Sequence, residues 1–185
     1  MVESIRQILK LDPEAKILAC APSNSAADLI AKRLVKQLSP SELFRLNSYA
    51  RPFKQFMENS PTLEPYSLYN DNKVFAIPPL EDLQFYRVIV STCISAGIPH
   101  ALGFPRGHFS HIFIDEAGQA SEPQAMVVIK TLADEFTNII LAGDNRQLSP
   151  IVHSPIARDM GLKRSYLERL MNMPVYDEKN GRART

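Results

Sequence analysis

His111-Ile112-Phe113-Ile114-Asp115-Glu116-Ala117-Gly118-Gln119 is an apolar run that stops on two adjacent carboxylates. A second run of the same kind, Asn138-Ile139-Ile140-Leu141-Ala142-Gly143-Asp144, also ends on an acid. Continuous rather than alternating apolar residues predict strands buried on both faces, as in a parallel sheet. A carboxylate at the end of such a strand reaches the carboxyl rim, where ligands of open α/β folds bind. Two strands of this pattern imply one acidic crevice suited to Mg²⁺ and phosphate groups.

Working outward, Lys16 to Ala21 and Arg87 to Thr92 read as further buried strands, and Leu43 to Leu46 as a short one. Helical spacing runs over Ser4 to Leu11, stopped by Asp12-Pro13, and over about Ala26 to Leu38 with Leu29, Ile30 and Leu34 as its apolar face. Glu122-Pro123 opens a helix to about Glu135, and Pro155 to Met160 and Ser165 to Met171 carry two shorter helical patterns. The alternation predicts an α/β domain, a parallel sheet with flanking helices. Asn47 to Pro79, rich in Pro, Asn and aromatic residues without period, reads as a long surface insertion. Asp177 to Thr185 reads as a polar, flexible tail.

Composition sets bounds. At 185 residues the chain is the size of one ordinary domain, and its formal charge of +1 gives no bulk basic field for nucleic acid. Any strand must be held by local geometry. Cys20 and Cys93 are too few and too far apart for a disulfide framework or a zinc site and read as reduced core thiols. His108 and His111 have helical metal spacing but lie on a loop running into a strand, so they are not read as ligands. No apolar run is long enough to span a bilayer, and no basic-then-apolar leader opens the sequence.

Nucleotide-bound Mg²⁺ keeps several waters and takes only one or two protein carboxylates. Asp115 is the candidate for that role, and Glu116, sharing the rim, is the candidate base for an attacking water. In the second loop Gly143 permits close backbone approach, Asp144 adds an acid, and Gln147 is placed to sense a terminal phosphate. Pro22-Ser23-Asn24-Ser25 opens a helix and reads either as a plain cap or as an anion grip. Thr92 at its strand end has the same two readings.

Ala21-Pro22-Ser23-Asn24-Ser25-Ala26-Ala27-Asp28, Asp115-Glu116-Ala117-Gly118-Gln119-Ala120-Ser121-Glu122-Pro123 and Leu141-Ala142-Gly143-Asp144-Asn145-Arg146-Gln147-Leu148-Ser149-Pro150 resemble motifs Ia, II and III of superfamily 1 helicases. The resemblance is to the up-frameshift-like branch, and within it to the Armitage and silencing-defective type RNA helicases of RNA silencing and decay. Tyr166-Leu167-Glu168-Arg169-Leu170 is similar to that group as well. It implies a RecA-like P-loop NTPase domain, the first of two motor domains, that binds Mg-ATP and moves 5′ to 3′ on single-stranded RNA. By that resemblance Asp115 is the Mg²⁺ residue, Glu116 and Gln147 are catalytic, Gly143 and Asp144 line the nucleotide site, and Pro22, Ser23, Asn24 and Thr92 line the RNA path. It further implies a second motor domain and RNA-silencing or decay proteins as partners, and a cytoplasmic location including RNA granules, with the nucleus left open. Asn145 and Ser149 stand where related proteins often have Pro and Gly.

One element of the family pattern has no counterpart. The sequence contains no G-x-x-x-x-G-K-[ST], the loop that cradles the phosphates and whose hydroxyl holds Mg²⁺. The expectation is therefore a partial RecA-like domain spanning residues 1–185 without the phosphate-loop strand, whose parent hydrolyses ATP while this polypeptide alone does not. A non-catalytic module that binds RNA or a helicase partner, and a motor acting on DNA or RNA–DNA hybrids, are the alternatives.

Overall fold

A computed structural model describes residues 1–144 and 149–176. Its centre is a five-stranded parallel sheet in the order β2-β3-β1-β4-β5. The strands are β1 (Ile17–Ala21), β2 (Leu43–Arg45), β3 (Val88–Thr92), β4 (His111–Ile114) and β5 (Asn138–Leu141). Cys20 pairs with Ser91 on one side and Ile114 on the other, and Ile114 pairs with Leu141. The turns after β1, β3, β4 and β5 therefore leave from one rim, on neighbouring strands about 4.8 Å apart.

Helices cover both faces. Leu18, Cys20, Ile89, Ile112 and Ile114 face one side, against Leu83 of α4 (Leu80–Phe85) and Ala125, Val128 and Leu132 of α6 (Glu122–Leu132). α5 (Gly97–Ala101) lies on the same side, its Ile98 packed against this cluster. Ile17, Ala19, Ala21, Val88, Val90 and Phe113 face the other, against Ile5 and Leu9 of α1 (Val2–Leu11) and Ala27, Ile30, Ala31 and Leu34 of α2 (Asn24–Leu34). This strict alternation is the period-2 geometry of strands buried on both sides. α7 (Pro155–Ala157) runs on through a π turn in which Gly161 takes φ 94°, and α8 (Tyr166–Met171) is capped by Ser165 Oγ at 3.0 Å from the Glu168 amide.

Three readings from sequence need correction. α2 begins at Asn24 and ends at Leu34, and Leu29 is 49% exposed, so the buried face is Ala27, Ile30, Ala31 and Leu34. Ala27 and Ala31 alternate with Ile30 and Leu34 on the face turned to the sheet, and Leu29 points outward. Asn47 to Pro79 is not a bare surface excursion: it holds α3 (Phe53–Asn59) and a 3-10 turn (Pro61–Tyr66). Its Phe56, Leu63 and Phe75 are buried in the α2 side of the core. Phe56 and Phe75 meet edge to face at 5.1 Å, with Phe53 4.6 Å from Tyr69. Aromatic side chains bury large areas singly and need no periodic pattern to do so. The helix opened by Glu122 ends at Leu132 rather than near Glu135.

Cys20 and Cys93 are free thiols, fully buried. Burial pushes Cys93 up to about 12 and Cys20 well above its ordinary value, so both are unreactive packing groups. His108 is wedged edge-on against Phe104 and Phe109, and His111 Nδ1 lies 3.0 Å from Ser110 Oγ. Among the described residues no cluster of three or more His, Cys, Asp or Glu could hold a metal ion, and no helix is long and apolar enough to cross a membrane. Asn145, Gln147 and the tail from Asp177 lie outside the described residues.

Candidate active site and nucleic-acid rim

Asp115 continues the line of β4, its amide donating to Cys20 O at 2.8 Å across to β1. Glu116 then turns sharply, with φ 52°. A left-handed conformation at a residue other than glycine costs on the order of 1–3 kcal/mol and persists only where its surroundings impose it. Three bonds do so here. The Ala117 amide donates to Ala142 O at 2.9 Å, the Gln119 amide to Glu116 O at 2.8 Å, and Gln119 Nε2 to the Glu116 carboxylate at 3.1 Å. The two carboxylates are thus fixed on successive residues with different backbone directions, both half-buried. Gln119 was not singled out from sequence, although its i+3 spacing from Glu116 is the signal that could have found it.

The β5 loop sits beside this turn. The Ala142 amide donates to Ile114 O at 2.9 Å, which extends the β4–β5 ladder to the site. Gly143 and Asp144 are exposed at the rim. A Cβ on Gly143 would lie 2.9 Å from the Ala117 nitrogen and 3.0 Å from that of Gly118. The close approach that this glycine allows is therefore between the two acid-bearing loops. Gly143→Ala is expected to push the Glu116 turn away and cost about 1–3 kcal/mol, the range for overpacking against backbone. Thermal unfolding checks this; a melting point equal to wild type would mean the loops are not in contact.

On β1 the turn is held from several directions. Ser23 Oγ accepts from the Ala26 amide at 3.2 Å and lies 3.0 Å from Ser25 Oγ. The cap is therefore real, whatever else this turn does. Asn24 Oδ1 accepts from Arg45 Nη2 at 3.1 Å, and Pro22 is half-buried beside them. Thr92 Oγ1 donates to Ser95 Oγ at 3.0 Å and accepts from the Ser95 amide at 3.2 Å. Its hydroxyl proton is already committed, so an incoming phosphate would have to displace that bond.

Beneath the β1 turn lies an ion network that sequence reading missed. Asp28, buried on α2, accepts from Arg45 Nε at 2.9 Å, Arg51 Nη1 at 3.0 Å and Ser60 Oγ at 2.8 Å. Arg51 Nη2 closes a bidentate pair with it at 2.5 Å. Burial alone would raise the Asp28 carboxyl, but the Arg51 bond, the Arg45 charge and Ser60 outweigh it and hold it below the ordinary value. Burial lowers Arg45 to about 10, with Asp28 opposing. The signal was an arginine inside the apolar Leu43–Leu46 strand, a residue that is almost never buried unless paired.

A family model described as an AAA domain matches residues 81–155, which span β3 to the β5 loop. The chain is 38% identical over 178 residues to RNA helicase Mov10l1 of Homo sapiens, covering 95% of this chain and 14% of that protein. The same protein of Mus musculus gives 38% over 178 residues, again 95% of this chain and 14% of the relative. "Probable RNA helicase armi" of Drosophila melanogaster gives 37% over 195 residues, 95% of this chain and 16% of that protein. The chain thus spans only 14–16% of the length of these relatives. Among solved structures, the crystal structure of T4 UvsW overlays 78% of this chain and 24% of its own at 16% identity and a TM-score of 0.46. With the matched residues running from the β1 turn through both acid-ended strands, the chain resembles the up-frameshift-like branch of superfamily 1 helicases and is similar in sequence to RNA helicases of the Armitage and Mov10l1 type.

Proposed function

We propose that this chain is part of the first motor domain of an RNA helicase that couples ATP hydrolysis to 5′ to 3′ movement on single-stranded RNA. The observation that carries this reading is the pair of adjacent parallel strands β4 and β5, which bring Asp115, Glu116 and the Gly143-Asp144 loop to the rim that also bears the Ser23-Asn24 turn and Thr92. The donor set suits Mg²⁺ shared with phosphates and water: Asp115 is one carboxylate at a strand end, with Asp144 in the loop after the next strand. Bound there with nucleotide, the cation would neutralise charge on phosphate oxygens. Glu116 is the group to orient and deprotonate water. Gln119 holds one of its oxygens, leaving the other to accept the proton.

The phosphates themselves lack amides and a lysine from this chain, because no G-x-x-x-x-G-K-[ST] occurs in it. The 185-residue polypeptide alone is accordingly expected to hydrolyse ATP no faster than a Glu116→Gln control, in a phosphate-release assay with Mg²⁺ and single-stranded RNA. Turnover above that control would refute the incompetence of the isolated chain. Ser23, Asn24 and Thr92 grip phosphate rather than base, so they do not report the sugar. Preference for oligoribonucleotide over oligodeoxyribonucleotide in a longer polypeptide supports the RNA reading, and equal or reversed preference favours a DNA motor.

A further inference from the structure

The buried charges beside the β1 turn do not cancel. The side chains of Arg45 and Arg51 are 0% and 8% exposed, and the carboxylate between them, Asp28, is 4% exposed. Two desolvated guanidiniums share one anion, and an uncompensated buried charge is costly unless a counter-ion can reach it. The surplus is not sealed in. Asp28 and Arg51 form one wall of a cleft of about 460 Å³ between α2 and α3, and Asp28 is the only acid in its lining. Lys32 stands in the same cleft, using one donor on Asn59 O at 2.6 Å. Ser25 and Asn24 connect the cleft to the β1 turn. Of the five N–H donors of Arg51, three go to Asp28 and Asn47.

We propose that the cleft between α2 and α3 is a subsite for one phosphate group, held by Lys32 and Ser25 over the surplus charge of Arg45 and Arg51. The phosphate is a phosphodiester of the single strand gripped at the Ser23-Asn24 turn, or else a free inorganic phosphate; only that choice of source rests on the proposed function. A phosphate here carries no sequence information and acts by positioning the strand.

The test uses the 185-residue chain with a short oligouridine, the matching oligodeoxythymidine and inorganic tripolyphosphate, read by fluorescence anisotropy and amide NMR across a salt series. The variants are Lys32→Ala, which removes a cation, and Gln55→Glu, which sets an acid at the mouth. Both positions are outside the ion network, and unchanged melting points show that each variant folds. Each is expected to weaken oligonucleotide binding roughly tenfold, the scale of one charge-assisted bond. The salt slope for Lys32→Ala should fall by about 0.7, the value for one single-strand contact. Wild-type affinity and slope in both variants, together with tripolyphosphate shifts that survive in Lys32→Ala, overturn the subsite while leaving the RNA reading at the turn intact. Tripolyphosphate shifting Ser25 and Gln55 amides, lost in Lys32→Ala, with no strand bound, supports the subsite and sinks the strand as its source. Failure of every probe to shift those amides overturns it outright.

Discussion

Glu116→Gln, introduced into a longer polypeptide that also carries a phosphate-binding loop, is expected to lower ATP turnover by about 10²–10⁴-fold, the range for removing a general base. The substitution is nearly isosteric. Gln119 Nε2 donates to Glu116 in the native turn, and a glutamine amide can rotate to offer its oxygen to the same donor. The backbone at φ 52° is as uncomfortable for glutamine as for glutamate, so the turn keeps its shape. What is lost is the ability to take a proton from water. Nucleotide affinity should therefore hold while the rate of hydrolysis falls, the signature of an interaction made in the transition state. Asp115→Asn should behave differently, raising the Mg²⁺ concentration needed for half-maximal turnover. If Glu116→Gln instead lost affinity and rate together, or lost neither, Glu116 would not be the base.

β4 was legible because burial on both faces leaves a continuous apolar run, and an acid closing such a run has little reason to be there for packing. β5 carries the same run but stands at the sheet edge with Ile139 exposed and Ile140 and Leu141 half-buried, so the expected burial on both faces does not hold for it. Their adjacency in the sheet, Ile114 beside Leu141, was not written in either run; it comes from pairing that no local pattern encodes. Gly143 reads from sequence as letting backbone approach a ligand; the neighbour the structure gives it is the Ala117-Gly118 backbone, a contact between segments far apart in sequence. The same limit hid the ion network. Asp28 sits on a helix whose other inward residues are Ala27, Ile30, Ala31 and Leu34, and its partners come from β2, from Arg51 and from Ser60. The Asn47 to Pro79 segment defeated periodicity because Phe56, Leu63 and Phe75 reach the core from three differently shaped pieces of chain.

Asp28→Ala is expected to destabilise the fold by about 3–5 kcal/mol, because it removes one member of a buried pair and strands the other. The loss is larger than for a surface ion pair, which is worth about 0–1 kcal/mol. For a domain of this size each kcal/mol moves the melting point by about 2–4 °C, so the fall should be of order ten degrees. The geometry gives the direction without ambiguity. Arg45 would keep its bonds to Leu46 O at 2.7 Å and to Asn24, but neither is an anion. Arg51 would lose its two bonds to α2 and Ser60 its one, leaving the Lys32–Asn59 O bond between α2 and the Asn47 to Pro79 segment. The acid dependence follows from the depressed Asp28 carboxyl. A group with folded pKa below its unfolded value, about 3.9 for Asp, stabilises the fold above that value. The contribution fades as pH falls through the lower folded pKa. Wild type should therefore lose stability more steeply than Asp28→Asn as pH drops below about 4, while the gap between them is constant near neutrality. Parallel pH profiles for the two proteins, or an Asp28→Ala melting point within a few degrees of wild type, would mean that the paired arginines find other compensation and that Asp28 does not anchor the turn above it.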